Sequence, residues 1–325
     1  MTFITRLKIS ASDLARTAVG ATFGVALTAA LVGSLPTTVL AQTPAAAVTA
    51  SAPRAEGAGP ALWVIRDADS TLYLFGTVHV LRPTTAWGSD RVDAAFDSAS
   101  RLILEVANLD DQAAVMPLIQ QYGISPETPL SSLLTADELA ALDVAAKTIG
   151  LSAAQMDPMR PWLAALTLSV APMTKAGYDP QSGVELLLKA RAEAAGKPVS
   201  GFETLDEQIR ILATFPEAGQ LTFLRSTLED FEDATVELDK LVSAWAGGDM
   251  ETIGEVWVEP LRGESELMYQ SLLVNRNVNW AGQIETLLEG SGTVFIAVGA
   301  AHLVGDDSVQ AILRRRGVTV EIAPN

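Results

Sequence analysis

The chain has 325 residues, with 22 Lys+Arg against 39 Asp+Glu, two His and no Cys, and 49% of it is hydrophobic. That supplies a sizeable core and excludes collagen-like, disordered and disulfide-built classes. A formal net charge of -17 argues against nucleic acid as a partner, because phosphate neutralisation needs a Lys/Arg excess, and Arg314-Arg315-Arg316 reads as a short solvated run.

Arg6, Lys8 and Arg16 precede an uncharged stretch from Thr17 to Pro36, followed by Val39-Leu40-Ala41 with small residues at cleavage-type positions. Residues 1–41 therefore read as a secretory signal cut after Ala41, which places the protein in the periplasm or outside the cell with no stable membrane insertion afterwards. An uncleaved anchor is the alternative, since about 20 uncharged residues can span a bilayer. No Cys is available for lipid attachment. Residues 42–60, rich in Ala, Pro and Thr, read as a flexible spacer, and residues 61–325 as a single domain.

The domain opens with two β-rich runs, 62–65 and 71–75, joined by the polar cluster Arg66-Asp67-Ala68-Asp69-Ser70, the pattern of a hairpin. The second run leads into Gly76-Thr77-Val78-His79. Ser89 caps a short helix, and Arg101–Val106 has the form of a buried parallel strand with Glu105 near its carboxyl end. From about 110 to 195 the pattern is helical, with a capping box at Thr135-Ala136-Asp137-Glu138 and breaks at Pro158, Pro161, Pro172 and Pro180. Within it, Glu185 of Gly183-Val184-Glu185 reads as an ordinary first-turn acid favoured by the helix dipole. A short strand then ends at Glu203, a second helical block spans about 205–288, and Thr293–Val298 is a buried strand running into Gly299-Ala300-Ala301-His302. A helix over 308–316 and a strand over 318–322 close the chain. The fold class is α/β: a mixed, largely parallel sheet with helices on its faces and a large helical insertion.

Both histidines thus occupy the last position of a Gly-x-x-His that follows an apolar strand. Gly at a strand end lets the backbone turn sharply, presenting the side chain three residues on above the sheet edge where open α/β sheets bind ligands. Glu105 and Glu203 end two other predicted strands, so His79, Glu105, Glu203 and His302 are expected to converge. Two imidazoles and two carboxylates suit a divalent metal such as zinc, manganese or cobalt, with one Glu left as general base. Arg276 and Asn277, in a polar interruption of an apolar helix, are candidates for holding a substrate carboxylate or oxyanion. The competing plain readings are an ion pair of Glu105 with Arg101, helix capping by Glu203, and a surface salt bridge for Arg276. The six Trp read as core or groove wall.

The paired motifs LFGTVHVL (Leu74–Leu81) and AVGAAHLVG (Ala297–Gly305) resemble the TraB/GumN family, which includes the Tiki proteases. Leu62-Trp63-Val64-Ile65, LILEV around Glu105, GFET around Glu203 with Gln208, Arg276-Asn277 with Trp280, and Gly317-Val318-Thr319-Val320 extend the likeness over about 62–322. Ala301 stands where the family usually has Gly. The resemblance implies a fold related to the ChaN and erythromycin-esterase group and, for the Tiki branch, a metal-dependent peptidase. Matched motif by motif, the resemblance implies His79, His302 and Glu105 as the metal-site residues, while Glu203, Arg276 and Asn277 match other recurrent positions; on this reading Glu203 is the base, and Arg276 and Asn277 steady the substrate or the tetrahedral oxyanion. The two Glu roles are interchangeable at this level, and the expected partner is a peptide or protein substrate. Two rivals remain: a metal-independent hydrolase with His as base, and a non-catalytic periplasmic protein binding a peptide or haem.

Overall fold

A computed structural model describes residues 52–324 apart from 109, 230, 232 and 233; the expected signal, 1–41, lies outside the described residues. Strands β1 (Leu62–Arg66), β2 (Ser70–Thr77), β3 (Arg101–Leu104), β4 (Val199–Gly201), β5 (Gly292–Gly299) and β6 (Val320–Ile322) form one sheet, ordered β4-β3-β5-β2-β1-β6. β1 and β2 are the expected hairpin, closed by Asp67, whose Oδ1 accepts from the backbone N–H groups of Asp69 and Ser70 at 3.1 and 2.7 Å. Such a local carboxylate bond is what favours Asp in tight turns. β2, β5, β3 and β4 are successively parallel, while β1 is antiparallel to both β2 and β6. β5, the last of the parallel strands in sequence, fills the slot between β3 and β2.

Both faces of the sheet are buried, and strand alternation divides its side chains between two apolar layers. Leu72, Leu74, Ile103, Val294, Ile296 and Val298 face one layer, completed by helices α9 (Asn275–Leu288) and α10 (Val309–Arg315). Phe75, Leu102, Leu104, Phe295 and Ala297 face the other. That side carries α1 (Asp90–Ser98), α2 (Gln112–Gly123), α3 (Ala136–Lys147), α4 (Pro161–Lys175), α5 (Val184–Ala194), α6 (Leu205–Ala213), α7 (Glu217–Glu229) and α8 (Ala234–Gly247). Local signals set many of these ends: Ser89 caps α1, and the expected capping box at Thr135 opens α3. α4 is buried almost all round, from Trp162 to Met173, which accounts for its nearly uninterrupted apolar sequence. Among the described residues no helix is long and apolar enough to cross a membrane.

The later part of the expected spacer, from residue 53, differs from a free linker. Trp87 and Gly88 each donate to the Pro53 carbonyl at 2.9 Å, Arg54 pairs with Asp93 at 2.6 Å, and Arg91 donates to the Pro60 carbonyl at 2.8 Å. Backbone pairing and two arginines hold this small-residue segment against α1, a tertiary cause that composition does not reveal.

Phe295 sits at the centre of the sheet, fully buried, with its ring 5.4 Å from Phe96 and 5.8 Å from Phe75. Phe295→Ala is expected to lower unfolding stability by about 3–5 kcal/mol, read from urea denaturation.

Candidate active site

The parallel strands end level with one another: Thr77 stands beside Gly299, and Leu104 beside both Ala297 and Gly201. The next residues along each strand are therefore delivered to one carboxyl edge, and His79, Glu105, Glu203 and His302 meet there as the sequence predicts. The two Gly-x-x-His segments also touch. A Cβ on Gly76 would lie 3.1 Å from the Ala300 Cα, and one on Gly299 would lie 3.0 Å from Glu105 Oε1 and 3.7 Å from His79 Nε2. Both glycines thus serve close approach, the second of them against the functional side chains themselves.

Arg276, on α9, enters the middle of this group. Its Nη2 donates to Glu105 Oε2 at 2.6 Å and to Glu203 Oε2 at 2.8 Å, its Nε donates to Glu203 Oε1 at 2.8 Å, and its Nη1 lies 3.0 Å from His302 Nε2. Nη1 also donates to the Leu272 carbonyl at 3.2 Å. Arg276 and Glu105 are each only 5% exposed. The surface salt bridge and the Arg101 pairing considered from sequence are both replaced by this buried network. Glu105 is completed by the Gly299 N–H on Oε1 at 2.6 Å and by Gln208 Nε2 on Oε2 at 3.2 Å. Glu203 is completed by the Trp280 Nε1–H at 2.9 Å.

The hydrogen bonds decide the tautomer of His302. Asn277 Nδ2 donates to the Asp307 carbonyl at 2.8 Å, so its Oδ1 is the atom 2.6 Å from His302 Nδ1 and must accept. Nδ1 therefore carries the proton, and Nε2 presents a lone pair to the Arg276 Nη1–H, with Glu105 Oε1 lying 3.7 Å away. The Trp280 ring packs on the imidazole at 4.4 Å. Asn277, expected to hold substrate, is thus engaged at both ends by the protein and orients His302. His79 turns its Nδ1 to the Glu185 carboxylate, which also accepts from Thr77 Oγ1 at 2.9 Å. Sequence reading passes over this role, since Glu185 reads as a first-turn acid; its signal is that the side chain is buried, which only packing reveals.

These surroundings separate the protonation states. Burial opposes charge on Glu105, yet Arg276 and both imidazoles outweigh it and hold its carboxyl well below the usual carboxylate range. Burial raises Glu203 despite Arg276. Burial, then Arg276, pushes His302 down to about 3, whereas at His79 the pull of burial is exceeded by Glu185 and the group lies above its ordinary value. Among the described residues, no three His, Asp or Glu close around one point as a ready-made metal cage; the centre holds the Arg276 guanidinium instead.

Fold and site together define an α/β protein that presents two imidazoles and two glutamates around a buried arginine at the carboxyl edge of its parallel strands. The chain belongs to the TraB/PrgY/gumN family, whose model matches residues 61–322. It is 23% identical to an uncharacterised protein of Treponema pallidum (strain Nichols), over 78% of this chain and 80% of that one. It is equally 23% identical to the uncharacterised protein YbaP of Escherichia coli (strain K12), over 78% of this chain and 92% of YbaP. No solved structure matches the chain.

Two outcomes follow from the network. Arg276→Met leaves two buried carboxylates without their cation, so stability at pH 7 is expected to fall by about 3–5 kcal/mol. That deficit should shrink towards about pH 4, as protonation relieves the carboxylates; urea unfolding at both pH values checks it. In the metal-free protein, the His302 imidazole should not titrate between about pH 8 and 5, while His79 should titrate above its ordinary 6.5. By linkage, His302 withdraws stability as pH falls below 6.5, because the unfolded chain takes up a proton that the folded one refuses until about 3. The contribution of His79 runs the other way, complete below 6.5 and lost as pH rises through its folded value. Imidazole NMR resolves the two, since the chain has two His.

Proposed function

We propose that the protein is an exported metal-dependent hydrolase acting on peptide bonds. The observation that carries this reading is the facing of two imidazole Nε2 edges and Glu105 Oε1 across the Gly299 backbone. Two His nitrogens and one carboxylate oxygen are the donor types of catalytic divalent sites, and each imidazole has on Nδ1 the outer partner that metal-bound His commonly has. His79, His302 and Glu105 would hold the ion; manganese, cobalt and zinc all accept such a set. His302 Nε2 has one lone pair, so to hold an ion it would have to give up its hydrogen bond from Arg276. A bound ion supplies Lewis acidity towards a carbonyl and towards water.

The remaining roles belong to the chain itself. Glu105, kept ionised and facing both imidazoles, suits the ligand position. Glu203 is somewhat more open, its side chain 11% exposed against 6% for Glu105, and its raised pKa suits a proton acceptor. Arg276 keeps the two carboxylates side by side and offers positive charge to an oxyanion. The choice of a peptide bond rests on the resemblance of the Gly-x-x-His pair to the Tiki proteases, and export on the signal read in residues 1–41.

Purified protein titrated with manganese, cobalt and zinc is expected to take up one ion per chain, and His79→Ala and His302→Ala are each expected to lose it. Glu203→Gln should retain the ion while peptide turnover falls about 10²–10⁴-fold. A folded wild type that takes up none of the three metals sinks the reading. The hydrogen bond of Arg276 to His302 Nε2 favours one rival, a metal-free hydrolase with the Glu185-paired His79 as base. Turnover undiminished by chelator would select it.

A further inference from the structure

We infer that Glu185 is a positioning residue for His79: its carboxylate locks the Nδ1–H tautomer and thereby leaves the Nε2 lone pair on the side of the Gly299 backbone, where Glu105 Oε1 also lies. Three independent contacts bring the start of α5 to the end of β2. The Val184 N–H donates to the Val78 carbonyl at 3.1 Å, the Asp179 N–H donates to the Leu81 carbonyl at 2.9 Å, and a Cβ on Gly183 would overlap the His79 carbonyl oxygen. Gly183-Val184-Glu185 is therefore moulded to the His79 backbone, and its carboxylate arrives at the imidazole already placed.

The chemistry of that carboxylate is what makes the lock. An ionised carboxylate only accepts, so the ring nitrogen facing it must carry the proton. Thr77 Oγ1 donates to Glu185 Oε1 at 2.9 Å, which steadies the carboxylate with that same oxygen set against His79 Nδ1. The two Gly-x-x-His motifs consequently differ in their support. Thr77 in the first corresponds to Ala300 in the second, and the carboxylate partner of His79 corresponds to the neutral amide of Asn277 at His302. Glu185 is 6% exposed, a costly position for a carboxylate with no task.

The consequence for metal affinity rests on the ligand reading above, whereas the tautomer does not. With [15N]His-labelled, metal-free protein at a pH where His79 is neutral, long-range 1H–15N correlation should find both imidazoles as Nδ1–H, His79→Gln identifying each set. In Glu185→Gln the facing group can donate as well as accept, so His79 is expected to become a mixture of tautomers and cobalt affinity to fall about 10–100-fold. Stability in urea, measured at the same pH where His79 is neutral, should be kept, whereas a merely structural contact would lose stability there and leave the tautomer unchanged. A wild-type His79 carrying its proton on Nε2, or a Glu185→Gln protein with wild-type tautomer and cobalt affinity, overturns the inference. If the wild type takes up no cobalt, the metal reading fails while the tautomer result still decides the role of Glu185.

Discussion

Arg276 places a permanent positive charge between Glu105 and Glu203, and without it two carboxylates this far from water would repel each other and resist ionisation. The same guanidinium reaches His302, so one side chain ties together groups delivered by β3, β4 and β5. Buried ionic networks of this kind are weak contributors to stability, because desolvation consumes most of their Coulombic attraction. Their retention at a sheet edge that also carries both histidines is better accounted for by chemistry than by folding.

The backbone that presents Arg276 is itself irregular. Gln270–Val274 forms a π-helical turn immediately before α9, and the Leu272 carbonyl within it accepts from the Arg276 Nη1. A second π turn, Gly254–Val258, lies under the loop after His302, where a Cβ on Gly254 would sit 2.9 Å from Val304. Such turns insert a residue into the helical repeat and re-aim the side chains that follow, which is why they recur at functional sites. Here the turn at Gln270–Val274 leads straight into the helix that sends Arg276 into the sheet edge.

Around that centre each histidine is restrained from outside. Asn277, itself held by the Asp307 carbonyl, orients His302, and Glu185 meets His79 from α5. Both Nε2 edges are left facing inwards. Rings fixed in this way lose little freedom when they engage an ion or a proton, the general advantage of a preorganised site. The difference between a neutral and an anionic partner makes the two imidazoles unequal, one held neutral and the other held basic.

Much of this was legible in the residues alone. The hairpin turn at Asp67, the Ser89 and Thr135 caps, and the apolar runs ending in Gly76, Glu105 and Gly299 are local signals, and local backbone chemistry suffices to interpret them. The convergence of His79, Glu105, Glu203 and His302 was legible for a related reason, since parallel strands bring their carboxyl ends to one edge whatever their spacing in the chain. What each side chain touches was not. Glu185 carries the same local signature as any first-turn acid, Arg276 the same as any polar helix residue, and residues 53–60 the composition of a linker. Their roles arise from contacts across as many as 171 positions of sequence, set by how the helical layers pack. Sequence by itself determined the fold class and the four residues at the edge; only the tertiary structure decided that a guanidinium sits among them, because burial and partner choice are properties of the packed whole.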